Sequence, residues 1–247
     1  MLAAEDLITN ISSPEVKKEE KKASKLADFL CCRSSPKSKV EANSKPNEIS
    51  QGAILKAPDI EKTAELSYFL LPPLADTSKK TLILDLDETL LHSTFDPVES
   101  DHQVPIKIGE VVHTVHVSLR PHVHEFLLHV SQMYEIVIFT ASLSNYADPV
   151  IDLLDIHKVV KYRLFRDSCF HYQGNYIKDL NVLGRPLKDT IIIDNMPNSY
   201  YFHVNNAIPI SSWFFDKSDS ELMALIPFLE ELYNEHDVTK RISAEQK

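Results

Sequence analysis

The sequence predicts an α/β domain with a central parallel sheet flanked by helices. Short apolar runs alternate with segments of helical periodicity, the pattern left by a parallel sheet and its crossover helices. Three of the apolar runs also end in Asp, Thr or Asn. Those are the carboxyl ends beyond which open α/β sheets bind ligands. The strands are expected at 81–84 (Thr-Leu-Ile-Leu), 135–139 (Glu-Ile-Val-Ile-Phe), 190–193 (Thr-Ile-Ile-Ile) and 207–210 (Ala-Ile-Pro-Ile). A helix over 121–130 opens on Pro121, favoured in a first turn, and spaces Val123, Phe126, Leu127 and Val130 along one face. Two further helices are expected over 143–154 and 218–233. The segment 104–117 breaks the alternation with period-two patterning around Gly109, which predicts a β-hairpin inserted after the first strand, within about 95–118.

The rest of the chain sets the limits of that domain. Residues 1–67 are rich in Lys, Glu, Ser and Pro and bury too little apolar surface to offset the entropy of ordering, so they are expected to be a disordered arm. The folded unit is expected over 68–235, entered through the apolar Ser67-Tyr68-Phe69-Leu70-Leu71-Pro72-Pro73, with 236–247 a flexible tail. The net charge is −10, and residues 79–247 alone hold 24 acidic and 15 basic side chains. Such a surface suits a cationic metal and opposes general nucleic-acid binding, which needs an excess of Lys and Arg. No apolar run reaches the roughly 18–20 residues that span a bilayer, and the polar start Met1-Leu2-Ala3-Ala4-Glu5-Asp6 lacks the order of a secretory signal. Nucleus or cytoplasm is expected. The three cysteines, Cys31, Cys32 and Cys169, are too few for a disulfide framework.

The chemistry concentrates at the strand ends. Asp85 and Asp87 follow the first strand two positions apart, Thr140 follows the second, and Asp194-Asn195 follow the third. Lys178 lies in a loop between the last two. One polar strand end is unremarkable, because loops begin there. Three on one edge of a parallel sheet, with a lysine nearby, point to a shared site for phosphate or a divalent cation.

Together these segments resemble a known family. Asp85-Leu86-Asp87-Glu88-Thr89-Leu90-Leu91-His92-Ser93, Phe139-Thr140-Ala141-Ser142-Leu143, Leu164-Phe165-Arg166-Asp167-Ser168-Cys169, Gly174-Asn175-Tyr176-Ile177-Lys178-Asp179-Leu180 and Ile193-Asp194-Asn195 are similar to the small carboxy-terminal-domain phosphatases of the haloacid dehalogenase superfamily. The resemblance implies a Rossmann-like sheet, a small β insertion, and Mg²⁺-dependent removal of phosphate from serine or threonine through an aspartyl-phosphate. It makes Asp85 the nucleophile and Asp87 the acid–base residue. Thr140 and Lys178 would bind the phosphate. Mg²⁺ would be held by Asp85, the Asp87 backbone carbonyl and Asn195, with Asp194 close by.

Only 38 positions separate Thr140 from Lys178, too few for a large cap, so the site is expected to be open to a phosphorylated protein or peptide. The resemblance places an apolar substrate pocket at Phe95, Ile106, Ile108, Val115 and Leu143. The alternative for these residues is a mini-core of the hairpin. Arg166 either contacts substrate or steadies a loop. The resemblance also suggests the carboxy-terminal repeats of RNA polymerase II as a partner, and it relates Cys31-Cys32 to palmitoylated pairs that tether flexible arms to membranes. An unmodified pair is the other reading. Two other functions stay open at this point, a phosphopeptide-binding module without turnover and a small-metabolite phosphatase. His122, His124 and His129 do not align on one helix face and make a poor metal site.

Overall fold

A computed structural model describes residues 70–246. The described residues form ten strands, β1 (Lys80–Leu84), β2 (Leu91–Thr94), β3 (His102–Ile108), β4 (Val111–Leu119), β5 (Tyr134–Phe139), β6 (Val160–Leu164), β7 (Phe170–Tyr172), β8 (Asn175–Ile177), β9 (Thr190–Asp194) and β10 (Ala207–Pro209). The described α-helices are α1 (Val123–Val130), α2 (Ser144–Leu154), α3 (Glu221–Asn234) and α4 (Val238–Glu245). Five strands make the expected parallel sheet, in the order β10-β9-β1-β5-β6.

The central strands β1, β5 and β9 are buried on both faces, which explains their continuous apolar runs. Alternate side chains enter different cores. Leu82, Leu84, Ile136, Ile138, Ile191 and Ile193 pack in one cluster with residues of all four helices. Ile83, Val137, Phe139 and Ile192 pack in a second with Leu71, Leu180, Leu183 and Tyr200. Leu71 thus anchors the entering segment, as its Leu-Pro-Pro pattern suggests. From β1 the sheet grows to one side through β5 and β6, then restarts on the other through β9 and β10. Its switch point therefore falls between β1 and β9, where doubly wound sheets bind ligands.

Several boundaries differ from expectation. The insertion is a three-stranded antiparallel sheet, β2-β4-β3, because Leu91–Thr94 pairs with β4. The edge strand β6 and the β7–β8 hairpin escaped notice because their exposed positions interrupt the apolar pattern. Helix α1 begins at Val123, after His122 takes a left-handed φ of 65°. The flexible tail expected over 236–247 is corrected by α4, whose Asp237 side chain caps Thr239 N and whose Val238 and Ile242 are buried. The arm 1–67 lies outside the described residues, and so do Cys31 and Cys32.

Candidate active site

Asp85 leaves β1 with its backbone N–H donating to Ile193 O at 3.0 Å, which stitches the switch point at the carboxylates. One of its oxygens accepts from Lys178 Nζ at 2.5 Å and the other from the Thr89 hydroxyl at 3.0 Å. The same ammonium donates to Asp194 Oδ2 at 2.6 Å. Lys178 is 1% exposed, so a lysine that an isolated sequence position would place on the surface is here a buried bridge between two acids. Burial opposes its charge, but Asp194 and Asp85 outweigh it and raise its pKa. Burial pushes Asp194 upward, against the pull of Lys178 and with help from Asp85.

Asp87 has different neighbours. Its Oδ1 accepts from the Tyr146 hydroxyl at 2.5 Å, and its Oδ2 from Ser142 Oγ at 2.7 Å and Thr140 Oγ1 at 3.4 Å. Burial, followed by the charge of Glu88, raises its pKa to about 7 despite the hydrogen bonds from Tyr146 and Ser142. Directly after the acids the loop turns through Glu88 at a φ of 60°, a conformation costly for a residue with a side chain. Trp213 N holds the Glu88 carbonyl at 2.8 Å.

The site thus unites Asp85, Asp87, Thr140, Lys178, Asp194 and Asn195. Sequence reading missed Thr89, Ser142, Tyr146 and Arg120. Ser142 lies in the turn before α2 and Tyr146 in its first turn, and both reach Asp87. The Arg120 guanidinium is buried and reaches Asp219, Glu221 and the carbonyl of Thr89.

The apolar pocket needs correction. Ile106 and Val115 are buried in the main core, 2% and 0% exposed, rather than in a separate mini-core or on a pocket surface. Phe95, Ile108 and Leu143 remain partly exposed. Arg166 is half-buried, donates from Nε to Ala141 O at 2.5 Å and lies 5.0 Å from the Tyr176 ring centre. Those contacts hold the loop beside the cleft.

Oxygen donors fit a hard cation here. Thr89 Oγ1 lies 3.0 Å from Asp85 Oδ2 and 3.4 Å from Asn195 Oδ1, so a carboxylate and an amide oxygen converge on one point. Among the described residues no three His, Cys, Asp or Glu side chains form a metal cluster. A set of carboxylate, amide and backbone oxygens is not of that kind, and it matches the preference of Mg²⁺ for few protein ligands and retained water. The cleft is lined by Asp85, Asp87, Glu88, Thr140, Ala141, Ser142, Asp194, Asn195, Met196 and Ser199. A larger cavity of about 470 Å³, lined by residues such as Lys79, Ser131 and Lys158, opens near the amino-terminal end of β5 and holds none of this chemistry.

Fold and site together define a phosphatase domain of the haloacid dehalogenase type without a large cap. The chain belongs to the NLI interacting factor-like phosphatase family, whose model matches residues 80–239. It is 44% identical over 232 residues to a human CTD small phosphatase-like protein, covering 90% of this chain and 84% of that one. A probable C-terminal domain small phosphatase of Dictyostelium discoideum is 57% identical over 160 residues, 64% of this chain and 52% of its own. An uncharacterized protein of Schizosaccharomyces pombe is 51% identical over 205 residues, and the chain spans 63% of its length. The solved structure of Fcp1, described as an essential RNA polymerase II CTD phosphatase, shares the fold at a TM-score of 0.50 and 20% identity, covering 68% of this chain and 53% of that one. Phosphatases of this type generally use Mg²⁺.

Proposed function

We propose that the domain hydrolyses phosphoserine and phosphothreonine in proteins, with Mg²⁺, through an aspartyl-phosphate on Asp85. One observation carries this reading. Two carboxylates on one short loop have opposite surroundings, Asp85 ion-paired to Lys178 and Asp87 buried among hydroxyl donors with its pKa raised to about 7.

Each environment suits one task. Lys178 and Thr89 fix both oxygens of Asp85, aiming it as a nucleophile. Asp85 bonds to phosphorus as the ester oxygen leaves, and Asp87, still protonated near neutral pH, gives that oxygen its proton. The ionised Asp87 then takes a proton from water, whose oxygen bonds to phosphorus as the bond to Asp85 breaks. Lys178 and the Thr140 hydroxyl stabilise the phosphoryl oxygens. The Asp85 carboxylate, the Asp87 carbonyl and the Asn195 side-chain oxygen, with Asp194 beside them, would hold Mg²⁺, whose positive charge would let an anionic phosphate approach these acids.

The open cleft favours a protein segment over a small metabolite. Relatives named for the RNA polymerase II carboxy-terminal domain make its phosphoserine repeats the first substrate to test. The same relatives favour a nuclear or cytoplasmic site of action. No described helix is long and apolar enough to cross a membrane, and tethering would rest on lipidation of Cys31 and Cys32. The catalytic reading is tested by reacting the protein with a phosphoserine peptide and Mg²⁺, quenching, reducing with borohydride and mapping the product by mass. Modification at Asp85 is expected. Modification elsewhere, or turnover that survives chelation, overturns the proposal.

A further inference from the structure

We infer that an aromatic face beside the cleft, formed by Phe170, Tyr172, Tyr201 and Phe202, docks the residues flanking the phosphosite of a protein substrate. Docking here deepens the phosphatase reading and rests on it. Phe170 and Tyr172 alternate onto one face of the β7–β8 hairpin, and their rings lie 6.0 and 5.9 Å from Phe202. Tyr201 meets Phe202 at 5.8 Å. His171 and Tyr176 pair on the opposite face, 5.4 Å apart. Phe170 and Tyr201 are about half exposed, 52% and 54%, so the four rings make a preformed apolar surface that the fold itself does not cover.

Three observations tie that surface to substrate. It is continuous with the cleft, because Lys178 N, just after β8, donates to Ser199 O at 2.7 Å, and Ser199 lines the cleft two residues before Tyr201. Every exposed Phe or Tyr among the described residues (Phe170, Tyr172, Tyr201, Phe214 and Phe215) follows the carboxyl end of β6, β9 or β10, on the catalytic edge of the sheet. Finally, the segments 169–177 and 195–207 contain no Asp, Glu, Lys or Arg, although residues 79–247 carry a net charge of −9. These two segments therefore set no carboxylate of their own against an anionic phosphopeptide, although Asp237 and Lys188 line a pocket with Phe202, whereas an anionic membrane would need a cluster of cations that these segments lack. Aromatic faces bind proline rings and aliphatic side chains, so the occupant is an extended phosphopeptide with such residues on its flanks.

Two phosphoserine peptides test this in the Asp85→Asn protein, one flanked by Pro and Tyr and one by Gly and Ser, with binding followed by fluorescence anisotropy. The first should bind about tenfold tighter, the scale of an aromatic contact. Adding Phe170→Ser and Tyr201→Ser should erase that ratio without moving the melting temperature. If the pair of substitutions unfolds the protein, Tyr201→Ser alone should still reduce the ratio. Equal affinities, or a ratio that survives the substitutions, overturns the docking face. A wild-type dimer that the substitutions dissociate also overturns it, by assigning the face to a second copy. A tenfold ratio in the Asp85→Asn protein, joined to borohydride mapping of the wild type that finds no modification at Asp85, supports docking while defeating the catalytic reading.

Discussion

The Tyr146 hydroxyl donates to Asp87 Oδ1 at 2.5 Å, and Ser93 Oγ lies 2.7 Å from the same phenol oxygen. Helix α2 and the inserted sheet thereby meet at the acid. Burial, then the charge of Asp87, raises the pKa of the phenol well above its usual value, so it stays a donor. Tyr146→Phe keeps the ring and removes one of the hydrogen bonds that orient Asp87. A hydrogen bond to a charged group contributes about 1.5–3 kcal/mol, so kcat should fall roughly 10- to 100-fold with little change in KM. Steady-state kinetics on a phosphopeptide check this, and an unchanged kcat would free Asp87 from any need of Tyr146.

Asp87→Asn separates the two chemical steps. An aryl phosphate loses its leaving group without a proton, so the first step survives with that substrate. Hydrolysis of the intermediate still lacks a base and should slow by about 10²–10⁴. Rapid mixing should show a burst of phenolate stoichiometric with enzyme, followed by a slow phase. Uniformly slow release with no burst would remove Asp87 from the second step.

Lys178 neutralises Asp85 and Asp194 inside the domain. Lys178→Met leaves two buried carboxylates facing each other, and breaking a buried ion pair typically costs about 3–5 kcal/mol. The unfolding midpoint should drop accordingly. Mg²⁺ should stabilise this variant more than the wild type, because a divalent cation takes over part of the neutralisation. Thermal shifts with and without the metal compare the two, and equal shifts would place the cation away from these acids.

The parallel sheet was legible because β1, β5 and β9 are covered on both faces, leaving apolar runs that end where chemistry begins. Parallel pairing does the rest, carrying the residues after Leu84, Phe139 and Ile193 to one edge. Side chains that act on those residues were less visible. Ser142 reads as a loop residue and Tyr146 as part of an amphipathic helix, and their contact with Asp87 exists only once the start of α2 packs against the loop after β1. Strand β6 hid behind Lys161 and Arg163, polar positions of a partly exposed edge strand. Ile106 and Val115 show the converse problem. Period-two patterning reports which face is apolar, but it does not tell whether that face meets substrate or core.

The last relationship concerns how the loop is held. Arg120 Nε and Nη2 each donate to Asp219 at 2.8 Å, Nη2 also to Glu221 at 2.6 Å, and Nη1 to the carbonyls of Thr89 and Ser211 at 3.2 and 3.1 Å. One buried fork therefore ties the end of β4 to the loop that carries Asp85 and Asp87, to the segment after β10, and to the start of α3. Lysine cannot reproduce that geometry, so Arg120→Lys should weaken the clamp despite its charge. Arg120→Met should cost about 3–5 kcal/mol in urea unfolding at neutral pH. The hydrogen bond from Arg120 holds the Asp219 pKa below its usual value. With the folded pKa depressed, that stabilisation is complete above the unfolded value of about 3.9 and disappears as pH falls through the folded one. The stability gap between wild type and Arg120→Met should accordingly narrow in acid. A gap that stays constant down to the acid transition would show that the Asp219 carboxylate adds nothing to the clamp.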